Sequence, residues 1–180
     1  ERGELEESLI DEKCRRVLLA KQWLNPQGYR PVALPNLDAD LNRAEYELTS
    51  RQLFEQSLTV LSNLNEWLPL QRLDTLKLAS LSIGADSRSP FQERMDSYFA
   101  VDHFIVNENT TERDLETLFH KLNDYHLVLV GLHGLKMAPG NRYGIRPFHT
   151  RALDKALGLK HCILVHFGNP YALEYLPEIK

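Results

Sequence analysis

The segment best equipped for chemistry runs from Gly134 to Arg146. It carries Lys136, Asn141, Arg142, Tyr143 and Arg146, and not one Asp or Glu. Ammonium, guanidinium, amide and phenol groups can hydrogen-bond a sugar or an anionic partner. None of them can serve as a carboxylic proton donor or a carboxylate nucleophile. His133 stands immediately before this segment. Asp86 and Arg88 stand in a second short turn, Gly84-Ala85-Asp86-Ser87-Arg88-Ser89. These seven residues, His133, Lys136, Asn141, Arg142, Tyr143, Asp86 and Arg88, are the candidates for ligand contact or for docking onto a neighbouring domain. No catalytic residue is expected among them.

Other constellations carry less. The Gly84 turn holds a single glycine, whereas dinucleotide and P-loop fingerprints need several, so that the backbone can approach phosphate. No GxSxG elbow is present, which argues against an α/β-hydrolase serine site. The seven histidines form no HExxH motif and none pairs with a cysteine at ligand spacing, so neither a metal nor any other cofactor is expected. His161 and His166, five apart on a strand pattern, point to opposite faces. Asp102-His103 could be an acid–base pair, but adjacent strand residues also face opposite ways. Cys14 and Cys162 are too few for a disulfide framework and read as buried small hydrophobes.

The elements that must position these groups follow from periodicity. Residues 8–24 read as a helix, with Ser8 and Asp11 at capping-box spacing and acids crowding its start. Residues 25–42 hold Pro26, Pro31 and Pro35 and read as an extended connector anchored by Val32, Leu34 and Leu37. Residues 43–62 read as a second helix, with Tyr46, Leu53, Phe54, Leu58 and Leu61 on one face. The pattern then changes. Strands are expected over 76–83, 101–106, 127–133 and 161–167, and helices over 91–98, 110–125 and 147–157, with another helix beginning at Tyr171. Strands alternating with helices imply βαβ units and a parallel sheet with right-handed crossovers.

The expected fold class is therefore α/β, a three-layer αβα sandwich with a mostly parallel, flavodoxin-like sheet preceded by a helical linker segment. The alternation stops at Lys180, from which a truncated sheet and an exposed sheet edge are expected. The opening ERGELEES has no Met, basic region or apolar run, and reads as the start of an excised fragment without a signal peptide. A net charge of −4 and a pI near 6.0 give no electrostatic case for nucleic acid. No apolar run approaches the ~20 residues that span a bilayer. Two free cysteines leave cytoplasm and periplasm both open.

Three segments share a resemblance. Ser8–Leu24 resembles the helix that closes the catalytic barrel of family 3 glycoside hydrolases, through Ile10, Arg16, Val17, Leu18 and Lys21. Ser57–Leu70 resembles the opening of that family's second domain, through Asn63, Leu68, Pro69 and Leu70, with Ser62 in place of the usual lysine. Phe167–Leu173 resembles the family's Gly-x-Pro turn, and Leu127–Gly131 matches its Val-Val-Val-Gly strand in character. In order and spacing the resemblance covers nearly all 180 residues. The β-N-acetylglucosaminidase-like branch is nearest, in which barrel and second domain can be followed by a β-lactamase-like module.

The resemblance implies residues 1–50 as barrel-terminal helix and linker, and residues 51–180 as the second domain. It also implies a carbohydrate substrate and a barrel partner in the same chain. Retaining glycosidases place a nucleophilic carboxylate and a general acid about 5–5.5 Å apart. In this family the nucleophile is a barrel aspartate, and the barrel's Lys-His substrate motif is absent here. In β-glucosidase-like members the acid/base is a glutamate in the loop after the third strand, which here is Gly131–Pro147 and has none. Members of the N-acetylglucosaminidase type use a barrel histidine–aspartate pair instead. The implied role is a non-catalytic accessory domain that braces the barrel and lines the sugar pocket, with a homodimer expected through the open sheet edge. The strand pattern alone also allows a free-standing flavodoxin-like or receiver-like binding module.

Overall fold

The computed structural model describes residues 6–24, 28, 32, 34–63 and 66–178. The chain divides into two units, Glu1–Ser62 and Asn63–Lys180. Prolines 26 and 31 of the expected connector lie outside the described residues.

The first unit holds α1 (Glu7–Leu24), α2 (Leu37–Leu41) and α3 (Ala44–Ser57). α3 runs unbroken through residues 50 and 51. The i,i+4 pairs Glu12–Arg16 at 2.8 Å and Arg51–Glu55 at 3.0 Å each add about 0.2–0.5 kcal/mol. Four sequence expectations need correction here. Ser8 is not the helix cap: it lies inside the first turn, and its hydroxyl bonds Glu6 instead. Cys14 is exposed rather than buried, because α1 buries none of its residues. Leu37 opens a five-residue helix instead of anchoring an extended connector. α3 stops at Ser57, five residues early, where Leu58 turns extended ahead of β-branched Thr59 and Val60. Trp23, Leu53, Phe54 and Leu58 all stand exposed.

The second unit is a four-stranded, all-parallel sheet in the order β2-β1-β3-β4. Its strands are β1 (Leu78–Ile83), β2 (Val101–Val106), β3 (Leu127–Leu132) and β4 (Cys162–His166). The helices are α4 (Pro90–Met95), α5 (Glu112–Leu122), the single turn α6 (Gly140–Tyr143) and α7 (Pro147–Leu157). A 3-10 helix, Pro170–Tyr175, takes the place of the last expected helix. The α/β class and parallel sheet expected from the sequence are what the structure contains.

The layers follow from strand alternation. Ala79, Leu81 and Ile83 of β1 and Val128, Val130 and Leu132 of β3 join Leu115, Phe119 and Leu122 of α5 and Ala152 and Ala156 of α7 in one core. Leu78, Leu127 and Leu129 face the other way, onto Met95 of α4 and onto Trp67, Leu70, Leu73 and Leu76. Each leucine buried in these layers contributes about 1.5–3 kcal/mol. The α4 side is unusual in that β1 presents Ser80 and Ser82 there, both at 0% exposure.

Candidate functional site

β1 connects outward to β2 on one side, and β3 outward to β4 on the other. The strand order thus reverses between β1 and β3, and open α/β sheets bind ligands outside the carboxyl ends of such a pair. Here that crevice is flanked by Gly84–Ser89 and by His133–Arg146. The two loops touch at their roots. His133 N donates to the Ile83 carbonyl at 2.8 Å, and Gly84 N to that of Val106 at 2.8 Å. Gly84 takes φ +89, and a Cβ there would meet the His133 carbonyl oxygen at 2.5 Å and His149 Nε2 at 2.6 Å. Gly134 takes φ +71, and a Cβ there would meet the Gly84 carbonyl at 2.8 Å. Only glycine fits either position.

Beyond its root the β3 loop folds on itself. Lys136 N donates to the Tyr143 carbonyl at 2.7 Å, and Asn169 Nδ2 pins the Met137 carbonyl at 2.9 Å. Between these ties, Asn141, Arg142 and Tyr143 take φ of 53, 52 and 58, and Gly144 takes 81, a full left-handed turn. Three non-glycine residues in that region cost roughly 1–2 kcal/mol each. The turn sorts the candidates. Asn141 and Arg142 are exposed, while Tyr143 is buried with its ring 6.1 Å from that of Tyr175. Lys136 is exposed, and its stem passes close to Gly144. Asn141, Arg142 and Lys136 therefore form the surface of this loop, and Tyr143 its packing anchor.

Histidines ring the crevice. His133 stacks on Phe167 with ring centroids 4.7 Å apart and lies 6.5 Å from Phe91. Burial holds its pKa below the usual imidazole value. His149, 2% exposed, accepts from Arg146 N through Nδ1 at 3.0 Å. Burial lowers its pKa most and the Arg146 charge adds to that, against the pull of the nearby His133 carbonyl. His166 Nε2 meets the Asn169 carbonyl at 3.0 Å. His161 lies instead at the amino end of β4, away from the crevice, and packs on Trp67 at 5.0 Å. No group of three or more His, Cys, Asp or Glu among the described residues is placed to hold a metal.

The β1 turn places its two candidates apart. Asp86 receives only a long 3.5 Å contact from Asn107 and stays exposed. Arg88 is ion-paired with Asp96 and so turned toward α4. That pair ends a chain, buried at Gln92 and Ser80 and exposed at Asp96, that is invisible in the sequence. Gln92 Nε2 donates to Ser80 Oγ at 3.0 Å, Ser80 Oγ lies 2.6 Å from His103 Nδ1, and His103 Nε2 lies 2.9 Å from Asp96. One proton arrangement satisfies every partner: Ser80 donates to Nδ1 and the neutral imidazole donates from Nε2 to the carboxylate. Burial first, then Arg88, lowers the His103 pKa, against the pull of Asp102. The trio of serine, histidine and aspartate is not a nucleophilic triad, since Ser80 is 0% exposed in mid-strand. Asp102 faces away from this chain and accepts from the Tyr125 hydroxyl at 2.7 Å. Burial and that bond push Tyr125 up to about 12.

The β3 loop offers exposed donors and no carboxylic acid. Comparison with protein-family models, with curated proteins and with solved structures found no match for this chain.

Proposed function

We propose that this chain is a non-catalytic accessory domain of a retaining glycoside hydrolase, of the β-N-acetylglucosaminidase or β-glucosidase-like kind. It braces the catalytic barrel and lines one wall of the sugar pocket. The observation that carries this is the β3 loop: it leaves the carboxyl end of a central strand at the crevice and presents Asn141, Arg142 and Lys136 without any acid. Neutral sugars are held by such amide and guanidinium donors. Cleavage of the glycosidic bond needs two placed carboxyl groups, or equivalents, from elsewhere. The exposed apolar residues of α1 and α3, Trp23 and Phe54 among them, suit a helical brace against a barrel.

The test is hydrolysis of a chromogenic β-N-acetylglucosaminide. The isolated chain is expected to release no chromophore, while the polypeptide that joins it to its barrel turns the substrate over. Turnover by the isolated chain contradicts the non-catalytic role, and a parent that cleaves only β-glucosides contradicts the branch. A reading frame with no barrel upstream of Glu1 sinks the glycosidase assignment. β4 pairs with β3 on one side, and its outer edge suits a second copy of the chain. A monomer mass independent of concentration in light scattering excludes that dimer.

A further inference from the structure

We propose that His149 is a pH-sensitive latch on the β3 loop, holding it closed while the imidazole is neutral and releasing it on protonation. His149 sits in the first turn of α7, where its Nδ1 accepts the backbone N–H of Arg146, the last residue of the loop, at 3.0 Å. An imidazole can accept there only while that nitrogen carries no proton. Its other nitrogen, Nε2, is buried without a hydrogen bond in good geometry and points at the glycine root of the crevice, beside the His133 carbonyl. The latch therefore joins the two ends of the loop: its beginning at His133–Gly134 and its end at Arg146.

Protonation places an N–H against the Arg146 N–H, two donors facing each other, and adds a charge at a site 2% exposed. The charged and titratable groups around it oppose the cation or leave it unpaired. Arg146 itself is cationic and its guanidinium is already paired with Glu108 of the β2 loop. His133, from the β3 side, offers only its carbonyl, its ring being stacked on Phe167. Gly84, from the β1 side, has no side chain, and Phe148 stacks on His149 at 3.9 Å without charge. The nearest carboxylate of the β1 turn, Asp86, faces Asn107. Burial holds the ring neutral, outweighing the pull of the His133 and Arg146 backbone toward the imidazolium. The loop it releases already carries left-handed strain at Asn141, Arg142 and Tyr143, so opening relieves energy on one side of the balance.

The experiment is backbone hydrogen exchange by mass spectrometry on the full chain, reading peptides across residues 134–146 at pH 7.5 and 5.5 after correction for intrinsic exchange. Losing the Arg146–His149 bond predicts exchange on the order of tenfold faster at the lower pH. In His149→Asn, whose amide oxygen accepts the same N–H but does not titrate, the difference between the two pH values is expected to vanish. A pH response of the same size in that variant overturns the latch. Histidine 15N chemical shifts of the wild-type chain provide the second reading, valid even if the variant does not fold. Protonation of His149 Nδ1 must coincide with loss of loop protection, and a protonated Nδ1 beneath a fully protected loop also overturns it.

Discussion

Replacing Gly84 by alanine should be among the most damaging single-methyl changes in this chain. Two costs combine. Alanine at φ +89 takes on left-handed strain of roughly 1–2 kcal/mol. Its methyl would also stand 2.5 Å from the His133 carbonyl and 2.6 Å from His149 Nε2. The carbonyl is backbone, fixed by the adjacent N–H bonded to Ile83, and cannot swing aside. Overpacking of that kind costs about 1–3 kcal/mol. Together the loss is about 2–5 kcal/mol, a large share of a typical domain's 5–15. In urea denaturation, with a slope of about 1–3 kcal/mol/M, the midpoint should fall by on the order of 1–3 M. Gly140→Ala is the matched control, because its added methyl meets nothing within 4 Å. It should leave the midpoint unchanged or raise it slightly. If Gly84→Ala unfolds at the same urea concentration as Gly140→Ala, the close contact between the two loops is wrong.

Three further outcomes follow. Gln92→Met keeps the volume of a side chain at 0% exposure but removes its bonds to Ser80, to the Phe104 carbonyl and from Ser89 N, so it should cost about 3 kcal/mol by chemical denaturation. His103, His133 and His149 all have folded pKa values below their unfolded one. The folded state therefore binds fewer protons, and stability should be full above about pH 6.5 and fall as pH drops through the depressed values, by about 1.4 kcal/mol per pH unit for each histidine held neutral. Calorimetric melting from pH 8 to 5 reads this, and a flat profile contradicts it. Arg142→Gly, at φ 52, should hold or raise the melting temperature through relief of about 1–2 kcal/mol of strain while removing the guanidinium.

Much of the fold was legible because its strands are written in unambiguous residues. β2 falls on Val101–Val106 as expected, and β3 ends one residue early at Leu132. α7 matches because Pro147 and Gly158 punctuate it. Start signals were legible less evenly. Ser8 had capping spacing without capping geometry, whereas Ser89, which caps α4 together with Gln92, passed unnoticed. Whether a serine caps a helix depends on backbone angles that residue type alone does not set. The candidate site divides in the same way. The acid-free loop is a matter of composition, so its surface residues could be named in advance. The burial of Tyr143 could not, because it depends on Tyr175, and neither Arg nor Tyr announces a left-handed turn. The chain from Gln92 to Asp96 was hidden because Ser80 and His103 belong to different strands and meet only through sheet register. The exposure of Cys14 and the stripe around it reverses an inference from helical periodicity, which identifies an apolar face but not what covers it.

The most direct test of the proposed role is steady-state kinetics of a polypeptide joining this chain to the proposed barrel, with Asn141 and Arg142 replaced by glycine. Groups that hold sugar without moving protons are expected to raise KM for a β-N-acetylglucosaminide while kcat and its pH profile keep their wild-type form. A kcat reduced by 100-fold or more with one limb of the pH profile lost marks proton transfer from this loop. That result, or wild-type values of both constants, contradicts the account.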